Sequence, residues 1–336
     1  MPFVKMDSAA IMDFYVDVPI WVGYNKYKSC IQNAMGYNMS SDRKNVITKK
    51  AYAKVNLGLD VIRRRADGYH EVKMIMQTVD LCDVLTLTRQ EKPGIVVTTD
   101  REDLPGDEGN LAYKAARLVM ETCSIEEGVK IELQKRIPMA AGMAGGSTDA
   151  AAVFHGMNEM FELGMSEDEM CALGVKIGAD IPYCIRGGTA LAEGIGEILT
   201  KLPDVPDCIV LIAKPDIDVS TKYVYENLHA EKLDCHPDID GMRAAIEAGD
   251  LRGAAERMGN VLETVTVNAY PVIGEIKEAM KKRGAWNALM SGSGPTVFGI
   301  FEEEEKARAA YADIIGANLA GQVYICGWAG RDRKKS

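Results

Sequence analysis

Apolar and polar positions alternate along some stretches of this chain and repeat with helical spacing along others. Residues 46–62 read as extended. Within them the polar Lys54 and Asn56 stand two apart, which puts both on one face of a strand. A charged turn follows, Arg63-Arg64-Arg65-Ala66-Asp67-Gly68-Tyr69-His70, and residues 84–87 read as a short strand. Asn110 can cap a helix whose apolar face is Leu111, Ala115, Leu118 and Val119. Val129, Ile131 and Leu133 alternate, as a half-buried strand should. Pro138 opens a Gly/Ala-rich loop through Gly146, and Ser147 starts an alanine-rich helix ending near Gly164. Ser166 and Glu169 form a capping box for the next helix, which stops at Gly178. Past Pro203 and Pro206, where a domain boundary is expected, residues 209–213 read as a buried strand. Helices are expected at 242–248 and 272–282, strands at 296–301 and 323–326, and a solvated helix start at residues 302–305.

Composition narrows the class. A chain of 336 residues suggests two domains, at about 100–200 residues each. Its formal net charge of −10 argues against nucleic acid as the main partner, because phosphate backbones need clustered Lys and Arg. A small phosphorylated ligand stays open, since one local site can be positive on an acidic protein. No apolar run reaches the ~18 residues of a membrane span. The 8 cysteines are scattered without a C-x-x-C, which reads as buried thiols in a reducing, cytoplasmic setting. Residues 1–38 carry Trp21 but no clean periodicity and no basic lead of a signal peptide. They read as an upstream misread, with Met39 the natural start, or as a lineage-specific docking arm.

Two loops and one charged pair carry the candidate chemistry. Residues 138–149 run Pro-Met-Ala-Ala-Gly-Met-Ala-Gly-Gly-Ser-Thr-Asp. Small residues let a backbone wrap a ligand, and the helix that follows adds free N–H donors, so the segment suits an anion. It serves equally as a tight strand–helix connection. Neither G-x-x-x-x-G-K-[ST] nor G-x-G-x-x-G is present. Ser291-Gly292-Ser293-Gly294-Pro295 is either a flexible turn or backbone support for the same site. Asp180, in Gly178-Ala179-Asp180-Ile181-Pro182, sits at a helix exit as an Asx-type turn or as a general base. Lys54 is then its complement, keeping it ionised and stabilising an alkoxide, or else an edge-strand charge.

Together, Ala53-Lys54-Val55-Asn56-Leu57, the loop from Pro138 to Asp149, and Met290-Ser291-Gly292-Ser293-Gly294-Pro295 resemble the GHMP kinase superfamily. The turn Arg65–His70, Gly178–Pro182 and Ala192-Glu193-Gly194-Ile195-Gly196-Glu197 narrow the resemblance to members acting on a cytidyl alcohol. It covers about residues 46–330. It implies an α+β, two-domain fold: an N-terminal ATP-binding domain (46–204), like ribosomal protein S5 domain 2, and an α/β substrate domain (205–332), with residues 1–45 outside. The implied reaction moves the γ-phosphoryl group of ATP to the 2-hydroxyl of 4-diphosphocytidyl-2-C-methyl-D-erythritol, in non-mevalonate isoprenoid synthesis. Lys54 and Asp180 would be the catalytic pair, and Asn56 would position the acceptor. Asp67, Tyr69, His70 and Tyr225 would form the cytosine pocket: His70 on the base's polar edge, Tyr69 and Tyr225 on its two faces. Thr221 would lie near the erythritol, and Asn110 and Lys135 near the adenine. Pro138, Met139, Ala140, Ala141, Gly142, Met143, Ala144, Gly145, Gly146, Ser147 and Thr148 would cradle ATP. Mg²⁺, held mainly by phosphates and water, leaves its ligands unassigned. No nucleic acid or membrane is expected, and the state is a monomer or weak homodimer.

Rivals are another kinase of the superfamily acting on homoserine, mevalonate or a sugar, and a nucleotide-binding regulator without catalysis. An acceptor lacking cytosine has no use for the Asp67–His70 turn and Tyr225. A regulator has no need of Lys54 and Asp180.

Overall fold

The computed structural model describes residues 44–330, so the expectations about Met39 and the leading segment lie outside the described residues. In chain order the strands are β1 (Val46–Arg64), β2 (His70–Gln90), β3 (Ile95–Thr99), β4 (Gly128–Gln134), β5 (Thr189–Glu193), β6 (Ile198–Lys201), β7 (Ile209–Lys214), β8 (Gly259–Asn260), β9 (Asn287–Met290), β10 (Val297–Phe301) and β11 (Gln322–Cys326). The helices are α1 (Leu111–Cys123), α2 (Gly145–Met160), α3 (Glu167–Gly174), α4 (Ile181–Arg186), α5 (Thr221–Asn227), α6 (Ile239–Glu247), α7 (Leu251–Glu256), α8 (Glu263–Ala269), α9 (Val272–Lys282) and α10 (Glu304–Gly316). The first sheet has the order β3-β4-β2-β1-β8, with β5 and β6 branching from β2. The second is antiparallel, β11-β7-β10-β9. Gly259 and Asn260 of β8 pair with Gly58 and Leu59, which stitches the later half of the chain onto the first sheet.

The hairpin β1–β2 places the site. It runs from Val46 opposite Thr88 to Arg64 opposite His70. Burial of β1 is continuous from Ala51 to Val61, as in a strand covered on both faces. Strict alternation would put Ala51, Ala53, Val55, Leu57 and Leu59 on one face. Instead Ala51 and Leu59 join one apolar cluster, and Ala53, Val55 and Leu57 join another. The faces exchange at two register irregularities, between Tyr52 and Lys54 and between Asn56 and Gly58. Irregularities of this kind re-aim side chains beside active sites. Here they leave Lys54, Asn56 and Leu59 lining one cavity.

Several elements differ from the sequence reading. The strand expected at 84–87 is the end of a 21-residue strand, because the buried polar Gln77, Thr78 and Asp83 interrupt its apolar pattern. Helix α2 begins at Gly145, two residues earlier than expected, since Ala144 turns into it through a left-handed φ of 57°. It ends at Met160, and Glu162 and Gly164, both at positive φ, reverse the chain. Ala150 to Phe154 are all buried, so small side chains let α2 lie between its neighbours. A Cβ on Gly156 would meet Leu87 at 2.9 Å. The capping box of Ser166 and Glu169 is present, but α3 stops at Gly174. Cys171 and Cys184 are buried and Cys235 is exposed, so burial is not the common property of these free thiols.

Asn110 caps α1 as expected. Its side chain accepts the N–H of Ala112 at 2.9 Å and donates to Pro105 O at 2.9 Å. The buried face of α1 is Ala112, Ala115, Ala116 and Val119, rotated from the expected stripe so that Leu111 and Leu118 sit at its margins. Asn110→Ala should cost about 1 kcal/mol by freeing that N–H. The readout is a lower urea midpoint. An unchanged midpoint would show that the cap contributes nothing.

Candidate active site

Lys54 sits in the middle of β1 at 5% exposure, so it is no edge-strand charge. Its ammonium donates to Asn56 Oδ1 at 2.9 Å and to Gly142 O at 3.2 Å. Both acceptors are neutral, so they orient the charge without cancelling it. Asp180 Oδ2 lies 3.8 Å from Lys54 Nζ, and its side chain is about one-third exposed. The sequence put Asp180 at a helix exit. It stands at the entrance of α4, where its side chain makes no capping bond and is left to face Lys54.

The two glycine-containing loops converge above Lys54. Ser291 Oγ donates to Gly142 O at 2.9 Å. A Cβ on Gly142, at φ +70°, would lie 2.1 Å from Ser291 O, so only glycine permits this approach. Asn260 Nδ2 fixes the second loop by donating to Met290 O and Gly292 O at 2.9 and 2.8 Å. Along the first loop, Pro138, Met139, Ala140, Ala141, Gly142, Ala144, Gly145, Gly146 and Ser147 line a cavity of 920 Å³. Ala140 and Ala144 adopt positive φ, at about 1–2 kcal/mol of strain each. With no side-chain cap at Ala144, the first amides of α2 have no intrahelical acceptor and face the cavity. Not every expected loop residue does so. Met143 packs in the second apolar cluster and offers its carbonyl to Lys54 N–H. Thr148 donates to Tyr52 O at 2.8 Å, on the far side of α2.

At the other end of the cavity the His70 and Tyr225 rings lie 5.0 Å apart, tilted by 38°. Burial, then the Arg64 charge, lowers the His70 pKa and favours the neutral imidazole. Burial, then the charge of Asp180, raises the Tyr225 phenol, which stays protonated. Tyr69 lines the cavity but is 60% exposed. Asp67 lies outside the lining, accepts the N–H of Tyr69 at 3.0 Å, and so shapes the turn that presents Tyr69 and His70. Thr221 shares a 2.8 Å hydrogen bond with Ser293 at the cavity wall. Asn110 lines the wall while its amide serves the α1 cap.

Lys135 also lines the cavity, in a setting that the sequence does not reveal. Its ammonium lies between Asp83 and Asp149, 2.7 Å from the latter, and all three side chains are buried. Asp83 Oδ1 additionally accepts the N–H groups of Arg136 and Ile137, at 2.5 and 2.8 Å. The cluster therefore holds the entry of the phosphate-type loop through Asp83 and the helix at its exit through Asp149. Burial pushes Asp149 up to about 8 despite the nearby ammonium, with Asp83 opposing ionisation too. Burial opposes the charge on Lys135, but the two carboxylates outweigh it and raise its pKa. The raised Asp149 pKa lessens the net charge that the cluster must bury. Asp149 Oδ1 is buried and has no hydrogen-bond partner among the described residues. Only the spacing to the loop hinted at Asp149, and nothing in its own neighbourhood pointed to Asp83.

Folded Asp149 keeps its proton to about pH 8, whereas an unfolded Asp releases it near ~3.9. Between those values the folded chain binds more protons, so this group's contribution to stability falls as pH rises. Asp149→Asn should flatten that fall in unfolding midpoints taken from pH 5 to 9. A variant with the wild-type slope would remove Asp149 as its source.

A model of the GHMP kinases N-terminal domain matches residues 110–188, and one of the GHMP kinases C-terminal domain matches residues 242–320. A 4-diphosphocytidyl-2-C-methyl-D-erythritol kinase from Lachnospira eligens is 54% identical over 278 residues, 83% of this chain and 96% of its own length. The enzyme of that name from Enterococcus faecalis is 48% identical over 279 residues, 83% of this chain and 98% of its own. A crystal structure of 4-(cytidine 5'-diphospho)-2C-methyl-D-erythritol kinase superposes with a TM-score of 0.72 at 32% identity, covering 84% of this chain and all of that one. A homoserine kinase from Cytophaga hutchinsonii superposes with a TM-score of 0.70 at 24% identity and shares the fold.

Proposed function

The chain belongs to the GHMP kinases, in the branch named for 4-diphosphocytidyl-2-C-methyl-D-erythritol, and we propose that its large cavity phosphorylates the 2-hydroxyl of that alcohol with ATP. One observation carries the reading. Lys54 and Asp180 face each other at 3.8 Å in a cavity that has an amide-lined loop at one end and the His70–Tyr225 ring pair at the other.

In this reading the amides of Gly145, Gly146 and Ser147 hold the triphosphate, supported by the partial positive charge at the start of α2. Asp180 takes the proton of the acceptor hydroxyl. The alkoxide oxygen bonds to the γ-phosphorus as the bond to the β-bridging oxygen breaks, and ADP leaves. Lys54 stabilises the alkoxide and the equatorial oxygens, because its charge is aimed by neutral acceptors and not cancelled by them. Little else is needed, since phosphoryl transfer rests on positioning and charge neutralisation. Asn56, beside Lys54, orients the acceptor, and neutral His70 both donates to and accepts from the polar edge of cytosine. Tyr225 covers one ring face. Tyr69, exposed here, covers the other when the acceptor is present. Mg²⁺ suits Ser147 Oγ, a cavity-lining oxygen with no side-chain hydrogen bond among the described residues, and would neutralise phosphate charge when bound. A reducing, cytoplasmic setting completes the reading, in keeping with the free thiols.

A coupled ADP-release assay with Mg-ATP tests it. Turnover is expected on the cytidyl alcohol and not on homoserine, mevalonate or galactose. Turnover on one of the others would keep the fold and overturn the cytosine pocket. Asp180→Asn should lower kcat by about 10²–10⁴-fold while ATP binding persists. An unchanged kcat removes Asp180 from the role of base.

His70→Ala should raise KM for the cytidyl alcohol and leave KM for ATP alone. Because the His70 pKa is lowered, acceptor KM should hold steady near neutrality and rise only below about pH 6.5. A rise already at pH 7.5 that disappears in His70→Ala would contradict the assignment.

A further inference from the structure

Among the described residues, the cationic side chains lining the large cavity are Lys54, Arg64, Lys135 and Lys222. All but one have a carboxylate partner. Lys54 faces Asp180 at 3.8 Å, Lys135 lies between Asp83 and Asp149, and Lys222 pairs with Glu226 at 3.8 Å. Arg64 makes no ion pair and no side-chain hydrogen bond among the described residues. The mechanism above leaves its guanidinium without a role.

The end of the β1–β2 hairpin explains how that charge comes to be free. Arg63, Arg64 and Arg65 are consecutive and exposed. Arg63 pairs with Glu71 and Arg65 with Asp67, and neither lines the cavity. Side chains alternate along a strand, so Arg64 leaves on the side opposite to Arg63. It stands across from His70 in the strand pairing. Its charge is felt there, since after burial it is what lowers the His70 pKa. The free guanidinium therefore belongs to the ring-pair end of the cavity, away from the amides at the start of α2.

We propose that Arg64 is a specificity-determining residue that binds the diphosphate group of the acceptor. The inference rests on the cytidyl reading of the cavity. In that reading the acceptor carries a diphosphate between the base held by His70 and Tyr225 and the alcohol held at Asp180. A guanidinium is a planar fork whose N–H donors match phosphate oxygens in pairs. Arg64 offers that fork with no carboxylate competing for it, whereas the Lys222 charge is shared with Glu226. The site then selects a nucleoside diphosphate ester over an uncharged nucleoside, while ATP binding is left to the loop.

Calorimetry on the full chain tests this, with a saturating non-hydrolysable ATP analogue present and cytidine and CDP as the probes. Wild type should bind CDP more tightly than cytidine. In Arg64→Gln the affinity for CDP should fall about tenfold and the affinity for cytidine should hold. KM for the cytidyl alcohol should rise in the same variant, with KM for ATP unmoved. Arg64→Lys keeps the charge but not the fork and should recover part of the loss. Arg63→Gln removes an equal charge one residue away and should match wild type throughout. Equal weakening of cytidine and CDP in Arg64→Gln would mean that Arg64 acts on the base through His70, and overturns the proposal. An unchanged affinity for CDP in Arg64→Gln, or an equal loss in Arg63→Gln, overturns it too. Those results leave the cytidyl reading standing. If wild type binds neither cytidine nor CDP, that reading falls, and this inference with it.

Discussion

The carbonyl oxygen of Gly142 is where the site is assembled. It accepts from Lys54 Nζ and from Ser291 Oγ, so a strand, the phosphate-type loop and the second glycine loop meet at one atom. Buried carbonyls need partners, and this one takes both from the two segments it must align. The contact is close enough that a Cβ on Gly142 would collide with Ser291 O. Glycine at this point is therefore a condition of the geometry, whereas Ala140 and Ala144 show that small L-residues can be held in the left-handed region when their surroundings over-determine it.

Lys54 depends in turn on the irregular pairing of β1. A regular strand would send Ala51 to Leu59 alternately to two faces with one parity throughout. The exchanges at residues 52–54 and 56–58 reverse that parity for a few residues. An ammonium thus appears on the face where apolar residues stand before and after it. Its burial is tolerable because Asn56, Gly142 O and the third-exposed Asp180 surround it.

This explains what the sequence could and could not disclose. Two polar residues two apart in an apolar run place Lys54 and Asn56 on one face without any structure. The parity exchange is invisible, because an irregularity inside a continuously buried strand leaves the apolar run intact. β2 was read only at its end because Gln77, Thr78 and Asp83 are buried polar groups whose partners come from distant segments: Thr189 for Gln77, Tyr183 for Thr78, and Lys135 for Asp83. The helices α5, α7 and α8 span only 7, 6 and 7 residues, too few for a period to declare itself. The loops and Asp180 were legible as motifs. The direction in which Asp180 relates to its helix was not, since Gly178 to Pro182 can end one helix or begin another.

Two Lys–Asp groupings lie in the same cavity wall, and burial separates their roles. Around Lys135 the ammonium is enclosed by two carboxylates, one of them protonated at neutral pH, and the side chains are nearly inaccessible. Charges so enclosed have little left to offer a ligand, and breaking such a set leaves an uncompensated buried ion, which is costly. That arrangement suits a clamp on the ends of a loop. Around Lys54 the hydrogen bonds go to neutral oxygens, and among the described residues the one carboxylate paired with it stands at 3.8 Å with a third of its side chain exposed. A field is useful in phosphoryl transfer when it is fixed in direction and not already neutralised. The same pair of residue types therefore suits structure where the site is dry and closed, and suits the proposed chemistry where it is oriented and open.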